Sequence, residues 1–169
     1  MEITVLPPDH LTWNGRHIRC ALGRNGIRSD KKEGDGATPA GRFLLRRVFY
    51  RADRLPAPQT GLSVQALGPD DGWCDDPADP AYNQLIKRPH GGHHEELWRD
   101  DHVYDVIVAL GHNDDPPAPG LGSAIFVHVA RPDYEPTEGC VALRMEDLLA
   151  LLAGGDEAAV ITIPGEEPG

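Results

Sequence analysis

The sequence has no long apolar run and no export signal that we recognise. A membrane-spanning helix needs about 18 or more apolar residues in a row, and no stretch reaches that length. The first residues, MEITVLPPDHLTWNGRH, lack the basic and then apolar regions of a signal peptide. We therefore expect no membrane association and a cytoplasmic location, with a periplasmic one only through an unrecognised export route.

Cysteine is scarce, and its spacing excludes two common uses. The 3 cysteines, Cys20, Cys74 and Cys140, cannot all pair within one chain, and no CxxC metal knuckle is present. The pattern therefore favours free thiols. Cys20 lies on a predicted strand and is expected in the core, while Cys74 has no obvious base beside it and is expected to be structural.

Positive charge is also in short supply. The chain has 16 Lys and Arg against 27 Asp and Glu, which gives a net charge of −11. Nucleic acids and anionic membranes bind clustered Lys and Arg, so the sequence predicts neither as a partner. No GxGxxG or phosphate-loop pattern occurs, so nucleotide binding is not expected either.

What the chain does have is typical of one mainly β domain. A length of 169 residues corresponds to about one domain, which we take to be residues 1–169 and monomeric. The 19 glycines and 16 prolines are spread along the chain as turn signals, which favours many short strands. Apolar runs predict strands at 3–6, 16–22, 42–50, 104–110, 124–130 and 158–163.

One segment, 144–155, predicts a helix late in the chain. Leu148, Leu149 and Leu152 fall on one helical stripe, acidic residues occupy the first turn, and glycines follow the last apolar residue. The middle of the chain, 51–102, is rich in Pro, Asp, Gly and His and predicts long loops. The expected fold class is mainly β with one or two short helices.

The stretch IFVHVARPDYEPTEGCVAL, residues 125–143, contains one histidine and one cysteine. Strand alternation turns His128 away from the most apolar face. A cysteine nucleophile needs an imidazole within about 3 Å to take its proton, and His128 is a candidate base for Cys140. Gly139 would let the backbone approach a bound carbonyl. From these residues alone, a small buried thiol and an ordinary strand histidine remain the alternative.

An earlier motif favours the catalytic alternative. GDGATPAGRF, residues 34–43, followed by residues 125–143, resembles the L,D-transpeptidase catalytic domain (YkuD-type) family, over about 16–163. That family has Thr-Pro-x-Gly-x-Phe early, then a histidine on a strand and Ser/Thr-x-Gly-Cys. The matching residues are Thr38, Pro39, Gly41, Phe43, His128, Thr137, Gly139, Cys140 and Val141.

The resemblance implies a β-sandwich or barrel and a covalent mechanism without a cofactor. The cysteine attacks the L,D peptide bond between a diamino acid and D-Ala in a peptidoglycan stem peptide, D-Ala leaves, and a thioester forms. On this resemblance Cys140 is the nucleophile and His128 the general base. Gly139 and the Cys140 N–H would be oxyanion donors. Thr137 would shape the turn and, with Glu138, contact the substrate.

Two positions depart from the family pattern. Many members have His where this chain has Glu138, and often Asn or Arg where it has Ala142. A carboxylate beside a thiolate raises the pKa of the thiol, so Glu138 is expected to point away or to pair with an arginine. The substrate carboxylate then needs another cation, and the candidates are Arg131, Arg144 and Arg42.

Two further segments carry side chains of interest. Residues 90–102, HGGHHEELWRDDH, offer zinc or nickel ligands in His90, His93, His94 and Glu95. The HExxH order is absent, so we expect no metal, and a cleft role for His94, Glu95 or Trp98 stays open beside a solvated loop. In residues 71–83, Trp73 is a candidate substrate-binding residue because comparable aromatic loops lie near the site in the resembling family; otherwise it caps the core.

Three functions are compatible with these features. Because no export signal is seen, we favour a cytoplasmic L,D-carboxypeptidase that releases terminal D-Ala from muropeptides, with water as the acceptor. The first alternative is an L,D-transpeptidase that makes peptidoglycan cross-links or exchanges D-amino acids. The second is a protein that binds peptidoglycan fragments without catalysis.

Overall fold

Short β-strands make up most of the regular structure in the computed structural model, which describes residues 1–165. The strands are β1 (Glu2–Leu6), β2 (His10–Trp13), β3 (Arg16–Arg19), β4 (Ile27–Arg28), β5 (Thr38–Pro39), β6 (Gly41–Tyr50), β7 (Val64–Ala66), β8 (Asp71–Cys74), β9 (Leu85–Lys87), β10 (His94–Glu96), β11 (Val106–Leu110), β12 (Phe126–Val129), β13 (Val141–Leu143) and β14 (Val160–Ile163). One helix, α1, spans Met145–Ala153, and a 3₁₀ turn spans Pro132–Tyr134. The mainly β prediction is confirmed.

The largest sheet is nearly closed into a barrel. It has nine strands in the order β13-β12-β11-β6-β14-β1-β2-β3, with β7 also pairing with β6. The long strand β6 pairs with β14 along its first half and with β11 along its second half, so it joins both halves of the sheet. Two hydrogen bonds of 2.9 Å between the backbones of Ala21 and Ala142 connect the two ends.

The main core fills the inside of this sheet, and α1 covers it. Leu148, Leu151 and Leu152 of α1 are buried in the core, while Leu149 is only partly buried. The predicted stripe contained Leu149 instead of Leu151. Positions three and four residues after Leu148 share its face, which is why Leu151 and Leu152 pack inward together. Within residues 1–165, no helix is both long and apolar enough to span a membrane.

A second apolar cluster lies on the opposite face of β11 and β12. Val127 and Val129 of β12 point into the main core, whereas Phe126 points into the second cluster. There the Phe126 ring packs edge-on against Trp73, with 5.1 Å between the ring centroids. Cys140 belongs to this second cluster together with Phe126. The site therefore lies on the face of the sheet to which alternation along β12 turns Phe126.

The segment expected to consist of long loops contains a small sheet. Strand β8 pairs with both β9 and β10, and Trp73 lies opposite Leu85 on one side and Glu95 on the other. These strands are three or four residues long, and β10 has the sequence HEE. Such short polar strands have no alternating apolar signal, which is why their sequence predicted loops.

Candidate active site

His128 is buried in the middle of β12 and its ring is fixed by the backbone. Its Nδ1 lies 2.9 Å from the carbonyl oxygen of Val129. Since a carbonyl only accepts, Nδ1 carries the hydrogen and Nε2 keeps the free lone pair that a base needs. Burial lowers the pKa of His128 to about 4, and the positive charges of Arg131 and Arg99 act in the same direction. The imidazole is therefore neutral at neutral pH.

Cys140 follows Gly139 directly and precedes β13, which runs parallel to β12. Its thiol donates a hydrogen bond to the carbonyl of Ala124 at 3.2 Å, and its sulfur accepts the Phe126 N–H at 3.3 Å. Burial raises the pKa of the thiol to about 12, and the negative charge of Glu95 adds to that effect. The resting site therefore holds a thiol and an imidazole, and no thiolate–imidazolium pair.

Asn83 holds the backbone on which the thiol rests. Ala124 has φ +53°, a left-handed conformation that alanine rarely adopts. The buried Asn83 Oδ1 accepts the Ala124 N–H at 3.1 Å and the Trp73 indole N–H at 2.9 Å. Its Nδ2 donates to the carbonyls of His112 and Asn113. The Asn83 amide thus fixes the carbonyl group that receives the Cys140 thiol.

The turn before the thiol is held by Thr137. Thr137 Oγ1 donates to the carbonyl of Cys140 at 2.6 Å and accepts the Gly139 N–H at 3.1 Å. The Gly139 N–H, one of the two predicted oxyanion donors, is thus used inside the turn.

The early Thr-Pro-x-Gly motif lies beneath this turn. A Cβ on Gly139, which has φ +145°, would stand 2.7 Å from the carbonyl oxygen of Ala37. Thr38 is fully buried and its Oγ1 accepts the Gly23 N–H at 2.9 Å. A Cβ on Gly41 would meet the Phe43 ring at 2.6 Å. The two motifs are therefore in contact, and the early one supports the turn that presents Cys140.

Cys140 and His128 line the same cavity, which has a volume of about 490 Å³. Of the residues predicted to bind substrate, Arg131, Thr137 and Glu138 line it together with Gly139. The cavity has charges of both signs. The ionisable residues in its wall, besides those named, are Lys31, Glu33, Asp75, Glu95, Arg99, Tyr104 and Glu135.

Comparison with known families decides the class of this site. A sequence model of the YkuD family, described as the L,D-transpeptidase catalytic domain, matches residues 2–160. The chain belongs to this family. Comparisons with curated proteins and with solved structures gave no match. Membership makes the protein an L,D-transpeptidase-type cysteine enzyme, and the family acts on peptidoglycan peptides.

Three residues predicted to bind substrate lie away from the cavity of this L,D-transpeptidase domain. Arg42 is on β6, where its Nη2 lies 2.7 Å from Glu2 Oε1. Arg144 precedes α1, and its guanidinium carbon is 5.7 Å from the centroid of the Tyr134 ring. Trp73 is buried in the second apolar cluster. None of the three lines the cavity.

Glu138 is held by an arginine at the rim of the cavity. Both of its carboxylate oxygens accept hydrogen bonds from Arg24 Nε at 3.1 Å. Arg24 Nη2 lies 3.0 Å from Glu138 Oε2, and the Glu138 side chain is largely exposed. The acidic residue in place of the family histidine is thus neutralised by a partner.

One wall of the cavity contains four ionisable residues that no sequence motif marks. They are Glu95, Tyr104, Lys31 and Arg99. The Tyr104 hydroxyl donates to Glu95 Oε1, and its ring lies edge-on to His128 at 5.4 Å between centroids. Burial raises the pKa of the Glu95 carboxyl above its usual value. Lys31 Nζ lies 2.5 Å from Asp35. The sequence leaves a cleft role open for Glu95; the others reach the cavity through strand pairing and loop packing that their local sequence does not encode.

The neutral resting site predicts slow alkylation of Cys140. Because only the thiolate reacts, the rate with iodoacetamide should rise about tenfold per pH unit from pH 6 to pH 9, without a plateau. Mass spectrometry of the modified peptide measures this rate. The Cys140→Ala variant supplies the background from Cys20 and Cys74, which are also buried. A rate that is constant above pH 6 would instead indicate a preformed thiolate.

Gly139→Ala is expected to lower both stability and acylation. The substitution combines a strained φ with the 2.7 Å approach to the Ala37 carbonyl, and we expect a loss of about 2–3 kcal/mol in the free energy of unfolding. Gly26→Ala is the matched control, because its φ is +77° and no atom lies within 4 Å of the new Cβ. Urea unfolding of both variants compares this crowded position with an open one; equal losses would contradict the close packing of the two motifs.

Proposed function

We propose that this L,D-transpeptidase-family domain is an L,D-carboxypeptidase that releases terminal D-Ala from muropeptides, with water as the acceptor and the cytoplasm as its compartment. The observation that carries the proposal is that the Cys140 thiol and the His128 imidazole share one cavity with cationic and anionic side chains. Such a cavity suits the charged end of a single stem peptide.

The chemistry follows from two neutral groups. As Cys140 Sγ attacks the scissile carbonyl, its proton passes to His128 Nε2, and the oxyanion is received by the Cys140 N–H. The imidazolium then gives the proton to the D-Ala nitrogen, the C–N bond breaks, and a thioester remains. Water attacks the thioester while His128 takes its proton, the C–S bond breaks, and the thiol is restored.

Opposite charges in the cavity match the two sides of the scissile bond. Arg131 is about half exposed, and within residues 1–165 its closest carboxylate is Asp101 at 3.6 Å. This weak contact leaves Arg131 able to bind the D-Ala carboxylate through two hydrogen bonds. Arg99, in contrast, is fully paired with Asp101 at 2.9 Å and 2.6 Å. Glu95, a half-buried carboxylate in the cavity wall, is suited to the ammonium group of the diamino acid.

The size of the site supports hydrolysis. A volume of about 490 Å³ is in the range for one small ligand, and Cys140 is only 9% exposed. Water reaches a buried thioester more easily than a second stem peptide does. The free thiols of Cys20, Cys74 and Cys140 support a reducing compartment.

D-Ala release from a purified disaccharide-tetrapeptide tests this proposal. We expect one D-Ala per substrate, no release from the disaccharide-tripeptide, and a KM raised about tenfold or more by Arg131→Gln through loss of a charge-assisted pair. Arg144→Gln is the matched control, since it removes a nearby arginine outside the cavity. Absence of release by protein with a reactive Cys140 would overturn the proposal.

One observation favours transfer as the second candidate function. A groove of about 700 Å³ lies on the other side of the turn, is lined by Arg24 and Tyr134, and shares Pro136 with the cavity. An acceptor peptide placed there would approach the thioester from behind the turn. Adding an acceptor stem peptide to the same assay distinguishes the two: a cross-linked product in place of the free tripeptide supports transpeptidation.

A further inference from the structure

Three potential metal ligands converge outside the active-site cavity. Cys74 ends β8, Asp79 lies in the loop that follows, and His90 lies in the loop after β9. The Cys74 sulfur, a carboxylate oxygen of Asp79 and a ring nitrogen of His90 all lie within 4.8 Å of one another. Cys74 is fully buried, and the other two side chains are mostly covered.

The cluster draws only one residue from the histidine-rich segment. His93 Nδ1 pairs with Asp75 at 2.5 Å, and His94 Nδ1 pairs with the carbonyl of Gly92 at 2.8 Å. Glu95 accepts the Tyr104 hydroxyl. Each of these three residues therefore has a partner of its own. His90 instead faces Asp79, a member of the cluster, which lies eleven residues earlier in the chain. Ligands this far apart in sequence form no local metal motif.

The loops hold the three ligands in place. Asp79 Oδ1 accepts the Ala81 N–H at 2.7 Å, which leaves Oδ2 to face His90 Nε2 at 2.8 Å. A Cβ on Gly92 would stand 2.2 Å from Asp79 Oδ2, so a side chain at this position would displace the carboxylate from its place beside His90. The carboxylate is thus oriented by backbone contacts before any ion binds.

We propose that Cys74, Asp79 and His90 form a zinc site. Thiolate, carboxylate and imidazole are the ligands that Zn²⁺ prefers, and in a tetrahedral site with bonds of about 2.0–2.3 Å they lie roughly 3.3–3.8 Å apart. On binding, Zn²⁺ replaces the proton of the Cys74 thiol, and that proton is released to solvent. The two anionic ligands balance the charge of the ion, and water takes the fourth position.

The electrostatic surroundings favour a cation there. Asp75 and Asp76 lie between Cys74 and Asp79, so the loop that would hold the ion carries two further carboxylates. The acidic loop therefore opposes a bare thiolate and favours one bound to a divalent ion.

The metal would fix one wall of the active site. It would join the loop after β8 to the loop that leads into β10, and β10 carries Glu95 to the cavity. Asp75, in the first of these loops, also lines the cavity. The site does not depend on the proposed hydrolase activity, and its role is to hold these two loops together.

Cobalt and zinc titrations test the proposal in a Cys140→Ala background, which removes the other thiol and imidazole pair as a binding site. We expect one equivalent of Co²⁺ to give a thiolate-to-cobalt charge-transfer band in the near ultraviolet and one equivalent of Zn²⁺ to abolish it. Competition with a chromophoric chelator should show Zn²⁺ affinity at least about tenfold weaker in Cys74→Ser and in His90→Gln.

His93→Gln and Cys20→Ser are the matched controls, because each removes a residue of the same type outside the cluster. Both should bind Zn²⁺ as the background protein does. If the Cys140→Ala protein, which keeps all three proposed ligands, gave no charge-transfer band with Co²⁺, the proposal would be overturned. Unchanged affinity in a folded Cys74→Ser protein would overturn it as well.

Discussion

Cys140→Ala is expected to abolish D-Ala release, with a loss in kcat on the order of 10⁴-fold or more, because Cys140 is the only thiol among the described residues that line the cavity. The exchange removes one sulfur atom from a site where its hydrogen bonds are to the Ala124 carbonyl and the Phe126 N–H. Both of these backbone groups are uncharged, so the substitution leaves no unpaired charge in the interior. We therefore expect the variant to fold, with thermal unfolding close to that of the parent.

Cys20→Ala is the control that separates chemistry from packing. Cys20 is another buried thiol, but it belongs to the main core and does not line the cavity. Treatment with a carbapenem followed by mass spectrometry should give one adduct in the parent and in Cys20→Ala, and none in Cys140→Ala. An adduct or parental activity in Cys140→Ala would identify a different nucleophile.

The elements that the sequence predicted best are those whose signal is local. The apolar runs around β1, β6, β11, β12 and β14 alternate or are continuous, so they were recognised close to their observed bounds. The helix was recognised from its apolar stripe in the same way. The motif around Cys140 is local too, since Thr137, Gly139 and Cys140 lie within four residues and form one turn.

The cavity wall was harder to predict because it is built by tertiary contacts. Glu95 reaches the site because β10 pairs with β8, and Tyr104 because β11 pairs with β12. Nothing in the sequence around them marks these pairings. Arg42, next to a motif in the sequence, lies on a strand that carries it to Glu2, well outside the cavity lining. Nearness in sequence was a poor guide to nearness to the thiol.

The ring-orienting group of His128 illustrates the same limit in one residue. The sequence shows a histidine on a strand but not which acceptor its Nδ1 meets. In the structure that acceptor is the carbonyl of the next residue, Val129. The backbone orients the ring, so no acidic side chain is needed for this bond.

His128→Gln is expected to lower kcat by a factor of about 10²–10⁴, because the attack on the carbonyl loses its general base. In the parent, the acidic limb of kcat/KM should have its midpoint near the His128 pKa of about 4, far below that of an ordinary histidine. Activity should therefore persist from neutral pH to about one unit above that midpoint. An acidic limb centred near 6.5 would contradict the buried, neutral imidazole.

The same pKa gives a stability signature that does not depend on turnover. The unfolded chain binds a proton at His128 near pH 6.5, whereas the folded protein binds it only near pH 4. Between these values the unfolded state holds more protons, so this contribution is present above pH 6.5 and is lost as the pH falls towards 4. The loss of stability amounts to about 3 kcal/mol for a shift of the pKa from 6.5 to about 4.

Urea unfolding of the parent and of His128→Gln across this pH range isolates the contribution of His128, since all other groups titrate in both proteins. If the free energy of unfolding changed with pH in the same way in both proteins, His128 would not be buried as a neutral base. The proposed proton transfer from Cys140 would then need another acceptor.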